Sequence, residues 1–349
     1  MTTKLSLSSS LSRVLITALM ALTMSSTGYA AEPVIYGPEL EGFAYPFPLK
    51  RFVFESQRQS VQMAYMDVPA EKPNGRIIVL MHGKNFCGAT WEATMRFLSQ
   101  RGFRVIAIDQ IGFCKSSKPP TYQYSFQQLA HNTRSLLATL GIKQVTLMGH
   151  STGGMLATRY ALMFPEQVEQ LVMVNPIGLE DWKSEGVPSP TIDQWYAREL
   201  QVTDERIRNY ERTTYYVNEW RDEYEIWVQM LAGMFRGPGG HLVAWHSALV
   251  YDMIFNQPVL YEFGRLRMPV LLLIGEKDNT AIGKDLAPPE VRPRLGHYAE
   301  LARRAGAAIP HADLIVFPDL GHAPQMQDPE RFHRALAAGL ERLAAGTAD

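Results

Sequence analysis

The feature that most constrains this chain is a repeated alternation. Short apolar runs at 77–81, 105–108, 145–148, 171–174, 270–274 and 314–317 are separated mostly by stretches with helical spacing. The helical stretches are 91–100, 125–140, 155–164, 297–307 and 329–343. Runs this short and this apolar suit strands buried on both faces, which is how parallel strands sit in a sheet covered by helices. Two further alternating segments, 51–55 and 60–68, come first and read as an antiparallel hairpin. The expected fold class is therefore α/β: a mostly parallel, eight-stranded sheet with helices on both faces.

The alternation stops between 178 and 266. This stretch has no strand signal and is rich in aromatics, among them Trp182, Trp220 and Trp227. It falls after the sixth strand, where an insertion lies at the carboxyl edge of the sheet, the edge that binds ligands in open α/β folds. Extra helices beside the sheet are the plain alternative. The position and the aromatics favour a helical cap, with the core formed by 31–177 and 267–349. Trp182, Trp220 and Trp227 are then candidate substrate-binding walls.

Residues 1–30 differ from the rest. Lys4 and Arg13 precede the apolar run VLITALMALTM, and SSTGYA follows. Eleven apolar residues fall short of the roughly 20 a spanning helix needs. The layout is that of a secretory signal peptide cut after Ala30, so the expected location is periplasmic or secreted, with no membrane span after cleavage. Lys and Arg number 34 against 35 Asp and Glu, a net charge of −1. Such a balance gives no electrostatic footprint for nucleic acid. Oligomeric state is not legible.

Strand 145–148 runs into Gly149-His150-Ser151-Thr152-Gly153, and a helix follows. Strand–GxSxG–helix is the layout of a nucleophile elbow, whose small residues let a sharp turn lift the serine hydroxyl above the sheet. Ser151 then needs a base and an orienting acid. His322, just past the last strand, is at the same edge. Asp278, just past the seventh, is the best acid, with Glu276 and Asp285 as neighbours. The order Ser…Asp…His is that of the α/β-hydrolase arrangement. The backbone N–H groups of Thr152 and Lys84 are the candidate oxyanion donors. Asn85 and Phe86, beside Lys84, are candidate substrate contacts. His82 and His150 flank turns and read as structural.

Six motifs in order, VLMHG at 79–83, Trp91, DQIGFCKSSKP at 109–119, GHSTGG at 149–154, GEKD at 275–278 and GHAPQMQDPERF at 321–332, carry a resemblance. The chain resembles the α/β-hydrolase superfamily, in its capped group of esterases, C–C hydrolases, epoxide hydrolases and haloalkane dehalogenases. The resemblance implies Ser151, Asp278 and His322 as triad, with no metal and no organic cofactor. A serine in place of the aspartate nucleophile argues against epoxide hydrolase and dehalogenase activity. Cys114 stands where the family's Asp-x-x-Gly-x-Gly-x-Ser motif has its second glycine. Because the fold places the third and fourth strands side by side, the resemblance also implies a Cys87–Cys114 disulfide. The expected function is ester hydrolysis of a small to medium apolar or aromatic small-molecule substrate. C–C hydrolase, perhydrolase and amidase activity on the same triad are the alternatives, and a non-catalytic binding protein is a further one.

Overall fold

The computed structural model describes residues 1–3 and 33–345. The signal-peptide expectation for 1–30 therefore lies almost wholly outside the described residues. Two strands open the sheet, β1 (Leu49–Ser56) and β2 (Gln59–Val68). Six more follow: β3 (Ile77–Met81), β4 (Arg104–Ile108), β5 (Val145–His150), β6 (Val168–Val174), β7 (Val270–Gly275) and β8 (Ala312–Phe317). They form one eight-stranded sheet in the order β1-β2-β4-β3-β5-β6-β7-β8. The β1–β2 and β2–β4 pairs are antiparallel, and every other pair is parallel.

Helices cover both faces. On one, α1 (Glu92–Gln100) and α10 (Pro329–Ala345) bring Leu98 and Leu336 against Met148, Leu271 and Leu273. On the other, α2 (Phe126–Thr139), α3 (Thr152–Met163) and α8 (Tyr298–Ala308) bring Leu136, Leu156 and Leu301 against Leu147, Leu272 and Ile274. Neighbouring residues of β5 and β7 thus enter opposite clusters, as the two-residue period of a strand requires. That double burial is why the strands read as continuous apolar runs. Ser125, where the sequence places the start of α2, is its N-cap: its hydroxyl accepts from the Gln128 N–H at 3.0 Å.

Between β6 and β7 the chain is helical: α4 (Ile192–Glu199), α5 (Asp204–Tyr210), α6 (Glu225–Arg236) and α7 (Gly240–Asn256). A π-helical turn, Glu211–Tyr215, follows α5 directly, and no sequence signal anticipates it. The short helix α9 (Pro324–Gln327) precedes α10. Among the described residues no helix is long and apolar enough to cross a membrane.

One boundary moves for an instructive reason. The helical spacing predicts a start at Met155, yet α3 begins at Thr152 and takes Gly153 and Gly154 into its first turn. A Cβ on Gly153 would lie 2.2 Å from the Met81 carbonyl oxygen, and one on Gly154 would lie 2.6 Å from Pro176 Cβ. These glycines are present so that the helix can press against its neighbours, not because the chain turns there. Gly153→Ala should therefore cost more than about 3 kcal/mol of stability. Gly141→Ala, where φ is +69° but nothing lies within 4 Å, should cost about 1 kcal/mol. Denaturant midpoints of the two variants check the contrast.

Candidate active site

Ser151 lies between β5 and α3 with φ 57° and ψ −121°, a left-handed conformation that costs about 1–3 kcal/mol for a non-glycine residue. The turn is possible because Gly149 has no side chain: a Cβ there would sit 2.1 Å from the Gly153 carbonyl oxygen. Ser151 Oγ donates to His322 Nε2 at 2.9 Å. The other ring nitrogen, Nδ1, donates to Asp278 Oδ2 at 2.6 Å. A carboxylate only accepts, and this assigns the tautomer. Asp278 and His322 are 2% and 1% exposed, so the relay is dry.

Every oxygen of Asp278 is engaged. Oδ2 also accepts from Asn175 Nδ2 at 3.0 Å, and Oδ1 accepts from the Thr280 N–H at 2.8 Å and the Thr280 hydroxyl at 2.6 Å. Asn175 is itself tied to the end of β7 through the Gly275 N–H and carbonyl. Sequence reasoning missed both Asn175 and Thr280. Asn directly after the apolar run of β6, and Thr two residues after Asp278, were the available signals. His150 is held neutral, its pKa well below the usual histidine value, by burial and by the nearby His322. Its Nε2–H donates to the His322 carbonyl at 2.8 Å. His82 bonds Gly83 and Gln110. Both histidines have the structural place expected of them.

Thr152 opens α3, so its N–H has no acceptor inside the helix. The Lys84 N–H, in the loop after β3, likewise has no acceptor among the described residues. Asn85 lines the Ser151 pocket and donates to the Tyr215 hydroxyl at 3.0 Å. Phe86 is buried, stacks near His150 and lines an adjoining cavity instead. Trp182, Trp220 and Trp227 line neither space, which corrects their reading as walls. Trp182 stacks on Phe255, Trp220 packs on Tyr216 and Tyr224, and Trp227 packs on Phe43. Their large indole surfaces are consumed by packing, Trp182 and Trp220 within the insertion and Trp227 against Phe43 outside it. The pocket walls from this region are three tyrosines, Tyr210, Tyr215 and Tyr251, and Ile254.

The two cysteines are free thiols, which overturns the expected disulfide. Their sulfurs lie within 4.8 Å of each other and are not bonded. Cys87 Sγ instead faces Met230 Sδ at 3.3 Å, and Cys114 Sγ faces the Phe86 carbonyl oxygen at 3.6 Å. Burial pushes the Cys114 thiol pKa up. Cys114 has φ 41°, so it occupies the left-handed conformation that makes glycine usual at this place. Asp109 Oδ and the two sulfurs form a close trio. The carboxylate is already filled by the Gly88 and Lys115 N–H groups and the Tyr45 hydroxyl, so it reads as a structural brace rather than a metal ligand.

The π-helical turn touches the relay from above. The His322 N–H donates to the Thr214 carbonyl at 3.2 Å, and the Tyr215 ring centroid lies 4.9 Å from that of His322. Glu211, the first residue of the turn, is fully buried, and neither carboxyl oxygen has a hydrogen-bond partner among the described residues. Burial first, then the nearby Glu225, push its pKa up to about 8, against a smaller opposing effect of Arg208.

The fold, with a serine–histidine–aspartate constellation at the carboxyl edge of its sheet, defines a hydrolytic enzyme of the α/β class. The chain belongs to the α/β hydrolase fold family, whose model matches residues 76–329. A solved structure of a probable hydrolytic enzyme from Pseudomonas aeruginosa PAO1 is 62% identical, with a TM-score of 0.88, over 88% of this chain and 99% of that one. A thermophilic esterase from Thermogutta terrifontis shares the fold at 21% identity and a TM-score of 0.63, over 84% and 99% of the two chains. Among curated relatives, an uncharacterized protein from Mycobacterium tuberculosis is 40% identical over 30% of each chain. Bifunctional epoxide hydrolase 2 from Sus scrofa is 26% identical over 78% of this chain. The matches span 30% of the mycobacterial protein's length and 52% of the porcine one's.

A buried carboxyl that keeps its proton to about pH 8 when folded, but loses it near 4.5 when unfolded, lowers stability as pH rises between those values. Glu211→Gln has no such proton to lose. Its gain in Tm over the parent should be small at pH 5 and grow steadily to pH 8, as thermal melts across that range would show.

Proposed function

We propose that this chain is an exported carboxylic ester hydrolase acting through an acyl-enzyme on Ser151. The observation that carries the reading is the continuous relay from Asp278 through His322 to Ser151 at 2.6 and 2.9 Å. As Ser151 Oγ attacks the ester carbonyl, His322 takes its proton, and Asp278 holds the imidazole and stabilises its charged form. The Thr152 and Lys84 N–H groups receive the oxyanion. His322 then hands the proton to the leaving alcohol, and the same base activates water to release the acid. Charge develops and collapses on these residues alone. The run VLITALMALTM supports export, and recovery of an exported chain starting at Ala31 would test it.

In this reading the inserted helices act as the cap and shape the substrate. The Ser151 pocket spans about 270 Å³, its opening included. The adjoining cavity has about 850 Å³, mouth included, walled by Phe113, Ile207, Leu231, Met234, Val243 and Val250. Lys84, Asn85, Tyr210 and Tyr251 border both. The small chamber suits the reacting ester group and the larger one an apolar chain.

Ser151→Ala should cut kcat on 4-nitrophenyl butanoate about ten-thousand-fold and abolish covalent labelling by a fluorophosphonate. Turnover above one part in a hundred in the folded variant, an about hundredfold loss or less, would contradict a serine nucleophile. Met234→Trp, which fills the cavity, should lower the octanoate-to-acetate ratio of kcat/KM about tenfold or more. A panel of graded esters measures that ratio, and one C–C cleavage substrate included in it separates the two hydrolase types.

A further inference from the structure

We propose that the side chain of Lys84 is a specificity-determining group, donating to a second, uncharged oxygen in the acyl part of the substrate. The preferred class is then esters whose acyl chain carries an ether or keto oxygen a few bonds from the scissile carbonyl. The proposal rests on the ester-hydrolase reading above.

Lys84 follows Gly83 in the loop after β3, and its side chain runs beneath the inserted helices, borders both the Ser151 pocket and the apolar cavity, and is 12% exposed. Nζ lies 3.4 Å from Glu199 Oε2 and 3.7 Å from the centroid of the Tyr251 ring. Glu199, at the end of α4, is 10% exposed and its Oε2 also accepts from the Ser247 hydroxyl. Taking both ions out of water costs several kcal/mol each, and an apolar pair of equal volume commonly stabilises as well or better. For a pair this buried, stability alone is a weak reason to keep the two charges.

The donor inventory points to a ligand. An ammonium has three N–H donors. One reaches Glu199 at the long end of hydrogen-bond range, and the Tyr251 face receives the charge without using a lone pair. No other acceptor for Nζ exists among the described residues. A donor is thus left for whatever fills the pocket that Lys84 borders.

The oxygen it meets is uncharged because a carboxylate on this ammonium would sit beside Glu199, the acceptor already there, and two carboxylates sharing one ammonium repel at close range. Lys118, the other ammonium on the cavity wall, is turned to the Cys114 and Ser116 carbonyls. It belongs to the acyl side because the leaving oxygen must face His322, which borders the Ser151 pocket but not the apolar cavity. The acyl chain is then the part that passes Lys84 toward the cavity. Since the backbone N–H of the same residue meets the oxyanion, the second oxygen lies within one lysine side chain of the reacting carbon.

The test uses 4-nitrophenyl butanoate and methoxyacetate, which have equal chain length, with each rate divided by that ester's hydroxide-catalysed rate. The full chain should favour methoxyacetate about tenfold beyond its intrinsic reactivity. The double variant Lys84→Met, Glu199→Gln leaves no unpaired ion and keeps the Lys84-position N–H; its preference should fall to about one. Absence of the preference in the parent, or its survival in the double variant, overturns the proposal while leaving ester hydrolysis intact. Turnover of neither ester by the parent overturns the ester reading and this proposal together. Glu199→Gln alone gives a second readout if the double variant does not fold. With its charge unbalanced, Lys84 should raise kcat/KM on 4-nitrophenyl hemisuccinate, relative to butanoate, about tenfold. An unchanged ratio there also overturns it.

Discussion

The close approach of backbone at the turn around Ser151 is the constraint on which the rest of the site depends. A non-glycine residue at φ 57° persists only where its surroundings over-determine it. Here Gly149 and Gly153 touch backbone at 2.1 and 2.2 Å measured from the Cβ each lacks, and Gly83 would meet Ser151 Cβ at 3.0 Å. This packing brings the loop after β3, the serine and the start of α3 within contact of one another. Hydroxyl direction and the two backbone donors follow from one steric fact.

From that turn the site is assembled by hydrogen bonds across the ends of four strands. Asp278 after β7 is held by Asn175 after β6, His322 after β8 is held by Asp278 and by His150 at the end of β5. Each side chain is fixed by a group from a different strand, so the relay is as rigid as the sheet. The inserted helices add a second layer above. Thr214, Tyr215 and Glu199 reach down to His322, Asn85 and Lys84, and this layer contains the buried Glu211. Rigid chemistry below and costly buried polarity above is the division expected when one part must be preorganised and the other must suit a substrate.

Much of this was legible beforehand because the relevant physics is local. Strand period, the glycine spacing around Ser151, and the position of Asp278 and His322 just past apolar runs all show in the residue order. The insertion's helical content was legible for the same reason. Asn175, Thr280 and the π-helical turn were not, because a residue that orients another does so through space and has no periodic signature. Trp182, Trp220 and Trp227 misled because aromatic content measures buried area, not which side of a helix the area faces. The Cys87–Cys114 inference found the right neighbourhood, within 4.8 Å, and the wrong bond. Strand adjacency sets proximity, whereas side-chain direction sets bonding.

Residue order by itself determined the α/β class, the strand sequence, the elbow and the three polar residues at its edge, since each rests on spacing along the chain. Tertiary structure alone decided which aromatics wall the pocket, how Asp278 is held, that the thiols stay apart, and that Lys84 ends against Glu199 between two chambers. Those outcomes depend on distances between segments more than 100 residues apart: Lys84 and Glu199 are 115 apart, and Cys87 and Met230 are 143 apart. Only packing sets such distances.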